Sequence, residues 1–146
     1  MPRPPKKRNI ENIPAIKYFK PHEVCEKELK EINLTLEEIE AIRLKDLEEL
    51  DQQNCADKMK VSRTTFQRIL KSGRKKIAEA LIKGKAIKFQ GGNYRLKEGK
   101  YRCQSCNHEI NFNCSPKRHR KRHGKKEDKE KCPKCGAKSF KFLEER

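Results

Sequence analysis

The sequence predicts two folded parts: a mainly α N-terminal domain, built as a trihelical helix-turn-helix over residues 1–92, and a small C-terminal β zinc-ribbon domain over residues 93–146. Three observations predict this fold class. Three consecutive segments carry helix caps and apolar residues at helical spacing. The charge changes sign where the third of these segments begins. Two Cys-x2-Cys pairs follow a Gly-Gly boundary at Gly91–Gly92.

The first 34 residues carry weaker signals than the rest of the N-terminal domain. Residues 1–14 form a basic arm rich in proline and lysine, which cannot fold alone. Residues 15–19 and 85–90 are each compatible with a short strand, and their pairing could add a short β-hairpin that closes the domain. A short helix is predicted over Val24–Ile32, between these two segments.

The first helix of the trihelical unit is predicted over about residues 35–47. Thr35, followed three residues later by Glu38, forms a capping box, and Leu34 and Ile39 flank it at the spacing of a hydrophobic staple. Helical periodicity then predicts the buried side. It consists of Leu36, Ile39, Ile42 and Leu47.

The second and third helices are predicted over residues 52–59 and 62–82, joined by a tight turn. Asp51 caps the second helix, Ser62 caps the third, and Gly84 ends it. The turn position that most often needs a positive φ is Lys60, where a non-glycine residue costs roughly 1 kcal/mol. The predicted apolar residues of this pair are Cys55, Ala56, Met59, Val61, Phe66, Ile69, Leu70 and Ile77. A short helix, a tight turn and a longer basic helix are the geometry that places the last element in a DNA major groove.

The charge distribution favours a polyanionic partner. The chain has a formal net charge of +17 over 146 residues. Residues 21–58 carry 12 acidic and 5 basic residues, a net of −7, whereas residues 59–100 carry 2 acidic and 13 basic residues, a net of +11. Solubility alone would explain a basic chain, but it would not require the two signs to be segregated. Contact between one face of the protein and a nucleic acid would require such segregation.

The third helix presents side chains suited to reading DNA once Phe66 and Leu70 are turned inward. Arginine can chelate guanine, glutamine can chelate adenine, and threonine offers a hydroxyl and a methyl group. The predicted base contacts are Arg63, Thr64, Gln67 and Arg68. The predicted phosphate contacts, which position without specifying sequence, are Ser62, Thr65, Lys71, Arg74, Lys75 and Lys76. The simpler alternative is an amphipathic helix with a solvated basic face.

The N-terminal two thirds of the chain resembles an uncharacterised prokaryotic family of predicted DNA-binding proteins, domain-of-unknown-function family 134, also called uncharacterised protein family 0251. The matching stretches include MPRPPKKR, YFKP, LTLEEIEAIRLKDLEEL, VSRTTFQRIL and RKKIAEAL. The resemblance implies a helix-turn-helix similar to region 4 of sigma-70 factors, in which positions 63, 64, 67 and 68 would face bases. The sequence departs from the family pattern at Lys60, where glycine is usual, and at residues 53–55.

Two zinc sites compete for the C-terminal cysteines. Cys103-x2-Cys106 and Cys132-x2-Cys135 bracket 25 residues, and each pair can present two thiolates to one tetrahedral ion, as in a four-cysteine ribbon. The rival is a finger that combines the first pair with His119 and His123. The finger needs a continuous helix through both histidines, yet Ser115-Pro116 interrupts it and Cys132 and Cys135 stay unexplained. The ribbon, with one structural Zn²⁺, is therefore favoured, with a mobile basic loop over residues 115–131.

Other chemistry is not supported by the sequence. Cys114, His119 or His123 could substitute as a zinc ligand, whereas Cys25 and Cys55 read as buried or incidental. A redox Cys-x2-Cys lacks the βαβ pattern of a thioredoxin-like site, and four thiolates leave no open coordination position for catalysis. We find no nucleophile–base pair and no glycine-rich phosphate loop, so we do not expect an enzyme.

The sequence therefore predicts a sequence-specific double-stranded DNA-binding protein that regulates transcription. The alternative function is binding of structured RNA through the same basic surface and zinc ribbon. RNA polymerase and a second copy of the chain are the protein partners to consider. No apolar run approaches the roughly 20 residues that a membrane span requires, and the N-terminus lacks the apolar core of a signal peptide, which predicts a cytoplasmic protein.

Overall fold

The computed structural model describes residues 7–112 and 131–143 and divides the chain into two compact units. The helical unit comprises Met1–Ile10 and Ile16–Arg95, and the ribbon unit comprises Glu11–Ala15 and Leu96–Arg146. The predicted boundary at residue 92 is close to this division. The ribbon unit, however, also takes residues 11–15, of which 11–14 were predicted to belong to the basic arm. Residues 115–130 of the predicted mobile loop lie outside the described residues.

The described residues contain nine strands, three α-helices and one π-helical segment. The strands are β1 Arg8–Ile10, β2 Asn12–Ile13, β3 Tyr18–Phe19, β4 Glu31–Leu34, β5 Ala86–Phe89, β6 Tyr94–Leu96, β7 Gly99–Cys103, β8 Glu109–Phe112 and β9 Phe140–Phe142. The helices are α1 Leu36–Ile42, α2 Gln52–Met59 and α3 Arg63–Lys83, with the π-helical segment Arg43–Leu47 directly after α1. The helices α2 and α3 fall within one residue of their predicted bounds, whereas α1 ends at Ile42 and the rest of the first predicted helix, to Leu47, is π-helical.

The expected mainly α class is wrong, because the fold is mixed α/β. Helices account for 35% of the described residues and strands for 25%, distributed over three sheets. The strands are two to five residues long. Such short segments show little periodicity, and their stability comes from partners far away in the sequence. The predicted basic arm is likewise not wholly unstructured, since it contains β1 and β2.

A three-stranded sheet closes the helical unit, in the order β3-β5-β4. The predicted pairing of the two flanking segments is confirmed: β3 runs antiparallel to β5, with Tyr18 opposite Lys88. The predicted helix over Val24–Ile32 is wrong, because turns lead into β4, which runs parallel to β5. A nine-residue segment without a packed face is too short to hold a helix. The strand instead places Leu34 in the core, where it is fully buried.

The first helix begins as predicted, but its later side chains do not follow the predicted helical periodicity. Thr35 Oγ1 accepts a hydrogen bond from the Glu38 backbone N–H at 3.3 Å, and the Glu38 carboxylate accepts one from Thr35 N–H, which completes the capping box. In the π-helical segment each turn holds an extra residue, which rotates the later side chains about the axis. Leu44 is consequently buried, whereas Leu47, predicted to face the core, is 77% exposed.

The three helices share one apolar core. Its buried members are Ala41, Leu44, Cys55, Ala56, Met59, Phe66, Ile69 and Leu70, with Ile42, Leu50 and Val61 packed around them. The helices α1 and α3 approach each other closely at Gly73, where a Cβ atom would lie 3.0 Å from Ile42 Cδ1 and 3.2 Å from Glu38 Cβ. Glycine at this position therefore sets how closely the two helices can pack.

Replacing Lys60 with glycine should stabilise the helical unit. Lys60 ends α2 in the left-handed conformation, with φ 53° and ψ 47°, as the turn requires. A side chain costs roughly 1 kcal/mol there, and glycine avoids most of that cost. We expect Lys60→Gly to raise the free energy of unfolding by up to about 1 kcal/mol in a denaturant titration. Lys60→Ala keeps the Cβ and should change the free energy of unfolding little. A glycine variant less stable than the alanine variant would contradict this account.

The ribbon unit is built on a four-stranded antiparallel sheet in the order β2-β9-β7-β8. Tyr101 on β7 and Phe140 on β9 are fully buried and form its small core. The edge strand β2 comes from the N-terminal part of the chain, with Asn12 opposite Lys141 and Ile13 opposite Phe140. Ile13 is 2% exposed, so this strand supplies apolar burial as well as backbone pairing.

Candidate nucleic-acid interface and metal centre

The first two turns of α3 present the predicted base-contacting side chains on one exposed face. Ser62 caps the helix by accepting a hydrogen bond from the Thr65 backbone N–H at 3.1 Å. Phe66 is fully buried and Leu70 is 4% exposed, which fixes the rotation of the helix about its axis. The exposed side chains of these two turns are Arg63, Thr64, Gln67 and Arg68.

Gln52, the first residue of α2, contacts two of these side chains. Its Oε1 accepts a hydrogen bond from Arg63 Nε at 3.2 Å and another from Gln67 Nε2 at 2.7 Å. Sequence reasoning did not single out Gln52, because periodicity and capping place it only at the start of a helix. A partner 11 or 15 residues further along the chain becomes visible only when the turn brings α2 against α3.

Some of the side chains predicted to contact phosphate are exposed to solvent, and others already form hydrogen bonds to protein groups. Lys71 and Lys75 are exposed. Arg74 is also exposed but forms a two-point ion pair with Asp46, at 3.1 Å from Nε to Oδ2 and through a second contact from Nη2. Ser62 Oγ donates a hydrogen bond to Thr65 Oγ1 at 2.9 Å, so these two hydroxyls are already joined in the free protein.

Lys76 lies at the contact between α1 and α3. Its Nζ is 2.9 and 3.0 Å from the two carboxylate oxygens of Glu38, which is only 7% exposed. Ser72 Oγ donates a further hydrogen bond to the same carboxylate at 3.0 Å. A buried carboxylate needs such partners because desolvation would otherwise make its charge costly. Lys76 therefore neutralises Glu38 in this structure.

A second buried acid, Glu40, is paired with Arg43 near the end of α1. Glu40 is 1% exposed, and the Arg43 guanidinium reaches its carboxylate at 3.0 Å from Nε and 2.6 Å from Nη2. Arg43 Nη1 also donates to Glu48 at 2.8 Å. In the sequence these residues stand out only through their contribution to the net charge. The three-residue spacing of Glu40 and Arg43 was the signal that could have identified the pair.

The metal-binding candidates lie on two knuckles of matching backbone geometry. In the first, the Asn107 N–H donates to the Cys103 carbonyl at 2.9 Å; in the second, the Gly136 N–H donates to the Cys132 carbonyl at 2.8 Å. The residue that follows each second cysteine has a positive φ, 62° at Asn107 and 74° at Gly136. This conformation suits glycine and is tolerated by asparagine. Both pairs therefore adopt the tight turn that Cys-x2-Cys pairs use to hold a metal.

The four sulfur atoms converge on one point. The Sγ atoms of Cys103, Cys106, Cys132 and Cys135 all lie within 4.8 Å of one another. Cys103 Sγ is 3.6 Å from Cys135 Sγ, and Cys106 Sγ is 3.6 Å from Cys132 Sγ. Four sulfurs about 2.3 Å from a tetrahedral ion are separated by about 3.8 Å, whereas a disulfide requires about 2 Å. The cluster therefore fits a metal ion bound by four thiolates.

Backbone amide groups of the knuckles favour the ionised form, which binds a metal, for two of the four thiols, Cys103 and Cys132. Backbone N–H groups of Cys106 and then of Ser105 lower the pKa of the Cys103 thiol. Burial raises the pKa of the Cys132 thiol, but N–H groups of Cys135 and Lys134 more than offset it and hold this pKa at about 7. Amide hydrogens directed at a sulfur stabilise the thiolate over the thiol. At Cys106 the His108 N–H is outweighed by burial and by the neighbouring cysteine sulfurs, which raise the pKa of this thiol to about 12.

The cluster bears on the choice between ribbon and finger. Cys132 and Cys135, which the finger left without a role, lie beside the first cysteine pair. His119, His123 and the substitute ligand Cys114 are outside the described residues. The remaining two cysteines of the described part of the chain are free thiols, with Cys25 exposed and Cys55 buried in the helical core.

Comparisons with known proteins identify the family. Residues 1–97 match the model of the family described as "Protein of unknown function DUF134". The chain is similar to a UPF0251 protein of Halothermothrix orenii, at 50% identity over 92% of this chain and 95% of the relative. It is also similar to UPF0251 proteins of Moorella thermoacetica, at 48% identity over 94% and 84%, and of Desulforudis audaxviator, at 43% over 100% and 89%.

No solved structure matches the chain. Among residues 7–112 and 131–143, no helix has the length and apolarity needed to cross a bilayer.

Proposed function

The chain belongs to the protein family of unknown function DUF134, and we propose that it is a sequence-specific double-stranded DNA-binding protein. In this proposal α3 lies in the major groove, and Arg63, Thr64, Gln67 and Arg68 contact base edges. The protein acts in the cytoplasm as a regulator of transcription. RNA polymerase and a second copy of the chain are the protein partners that we would test first.

One observation carries the proposal: α3, which packs on α2 through a tight turn, exposes four base-compatible side chains beside its buried stripe. Phe66 is 0% exposed and Ile69 is 8% exposed, so the helix has one well-defined rotation. Within that rotation, arginine, glutamine and threonine occupy the first two exposed turns. These are side chains that discriminate base pairs in the major groove.

The surrounding charges support the same orientation. Lys71 and Lys75 extend the exposed face along α3, where they would reach backbone phosphates. Arg74 is held by Asp46, but an exposed ion pair contributes little free energy and can exchange for a phosphate. Two acids of α1 are already neutralised, since Arg8 pairs with Glu37 at 3.2 Å and Lys76 pairs with Glu38. Their repulsion of a polyanion is thereby reduced.

We propose that the four-cysteine cluster binds one structural Zn²⁺. Four thiolates favour zinc or iron over hard cations, and zinc is the commonest ion in sites built from two Cys-x2-Cys knuckles. With all four tetrahedral positions taken by protein, no position is open to a substrate. The ion would stabilise the ribbon unit rather than take part in a reaction.

Selection of bound sites from random duplexes tests the DNA proposal directly. We expect a defined sequence preference, and a palindromic one would establish that two copies bind together. A competition between the selected duplex and a structured RNA at fixed salt tests the alternative. Preferential retention on RNA, or selection without any enriched sequence, would refute the proposed function.

Arg68→Ala and Lys75→Ala should have different effects on binding. Because Arg68 would contact a base, its loss should weaken binding to the preferred duplex by roughly 1–3 kcal/mol and relax specificity there. Because Lys75 would contact phosphate, its loss should weaken binding to all duplexes alike. It should also reduce the salt slope, the slope of log binding constant against log salt concentration, by about one in magnitude. Fluorescence anisotropy on preferred and random duplexes at several salt concentrations measures both effects.

Lys20→Ala is the control for the change in charge. Lys20 is an exposed lysine of the helical unit, paired with Glu26 at 3.2 Å, and it lies outside α3. We expect its removal to leave both the affinity and the salt slope close to wild type. Equal losses on preferred and random DNA for Arg68→Ala would show that this helix does not read bases.

A further inference from the structure

The side chain of Gln52 joins α2 to the exposed face of α3. Gln52 is half-buried, whereas Arg63 and Gln67, which it contacts, are exposed. A guanidinium can only donate hydrogen bonds, so the atom of Gln52 that faces Arg63 Nε at 3.2 Å must be the carbonyl oxygen. The same oxygen accepts from the Gln67 amide at 2.7 Å. One acceptor therefore holds two donors from successive turns of α3.

We propose that Gln52 is a positioning residue that sets the conformations of Arg63 and Gln67 before DNA is bound. This inference rests on the proposed function, because it assigns to Gln52 a share in the sequence specificity of α3. Arginine and glutamine side chains have many rotamers when exposed, and fixing them on binding costs conformational entropy. A contact already present in the free protein removes part of that cost. The remaining donors, Arg63 Nη1 and Nη2, keep the geometry needed for two-point contact with guanine.

The position of Gln52 on the surface fits this role. It lines two neighbouring grooves: one continues along α3 past Lys71, Arg74 and Lys75, and the other extends to Lys45 and Asp51. Its backbone is fixed because Asp51, immediately before it, caps α2 by accepting from the Asn54 N–H at 2.7 Å. Gln52 is therefore anchored by a helix end, while its side chain reaches the surface that would contact bases.

Gln53 provides a matched control. It is the next residue of the same helix and has the same side chain, but its amide donates to Asp57 within α2, at 2.9 Å, rather than to α3. Gln52→Ala should therefore lower the ratio of affinities for the preferred and random duplexes about tenfold, and Gln53→Ala should leave it within twofold. Gln52→Glu retains acceptor oxygens; its added charge should weaken both duplexes alike and preserve the ratio.

Nuclear magnetic resonance of the DNA-free protein tests the positioning step separately. In the wild type and in Gln53→Ala, the Arg63 Nε–H and Gln67 amide signals should be shifted and dynamically restricted. In Gln52→Ala they should resemble those of free side chains, and a thermal melt should show the fold retained. A lowered affinity ratio without any change in these signals would mean that Gln52 contacts DNA itself, which would overturn the proposal. Unrestricted signals in the wild type would overturn it whether or not the protein binds DNA.

Discussion

Cys132→Ser should release the bound metal and unfold the ribbon unit while the helical unit stays folded. The ribbon has a small apolar core around Tyr101 and Phe140, and a structural zinc site contributes on the order of 10–16 kcal/mol to folding. Loss of one of four thiolates should remove most of that free energy. Metal content by mass spectrometry, together with amide signals in both units, measures the outcome. Chelation of the wild-type protein should give the same result.

Two control variants make the metal experiment specific. Cys25→Ser removes an exposed free thiol outside the cluster and should leave the metal content unchanged. His119→Ala combined with His123→Ala removes the ligands of the rival finger and should also leave the metal bound. Metal lost from the double histidine variant but retained in Cys132→Ser would establish the finger instead. The unfolding should include β2 because it pairs with β9 in the ribbon sheet.

Phe66→Ala should lower the free energy of unfolding of the helical unit by roughly 3–5 kcal/mol, as expected for a large-to-small change in a packed core. Phe66 is 0% exposed and belongs to the cluster shared by all three helices. The substitution leaves a cavity among residues that are held in place by two other helices, so they can relax only in part. A denaturant titration monitored by helical circular dichroism measures the loss.

Leu81→Ala is the matched control for Phe66→Ala. It makes a similar large-to-small change on the same helix, but Leu81 is 74% exposed, so we expect a change within about 0.5 kcal/mol. Equal effects of the two substitutions would mean that the rotation of α3 is wrong. The assignment of Arg63, Thr64, Gln67 and Arg68 to the DNA-facing side would then fail as well, because it depends on that rotation.

Local signals in the sequence were sufficient to predict where the three helices begin. Thr35, Asp51 and Ser62 each cap a helix as predicted, because a cap requires only a side chain and a backbone N–H three residues away. The left-handed conformation of Lys60 was expected from its position in the turn between the second and third helices. The four-cysteine cluster was predictable from spacing, because each Cys-x2-Cys pair is a self-contained turn.

What the sequence did not predict depends on partners distant in the chain. The strand β4 was not predicted, and its first two residues fell within the helix predicted over Val24–Ile32, because its stability comes from β5, more than fifty residues later. Leu47 was assigned to the core because periodicity assumes a regular helix, which the π-helical segment is not. The contacts of Gln52 and of Glu38 were missed because they join α1 or α2 to α3. Hydrogen bonds between elements leave no periodic trace in a sequence.

The edge strand β2 has a consequence for how the chain can be assembled. Asn12 and Ile13 pair with Lys141 and Phe140, so the ribbon sheet joins the two ends of the described chain. Closing so long a loop in a single step would be entropically costly and slow, but the pairing of β1 with β6 shortens it. During synthesis the helical unit can form once Arg95 has left the ribosome, whereas the ribbon sheet must wait for β9. Recombination could therefore not transfer the complete ribbon unit to another protein as its C-terminal segment alone. A fragment starting at Leu96 would lack β2, one of the four strands of the sheet.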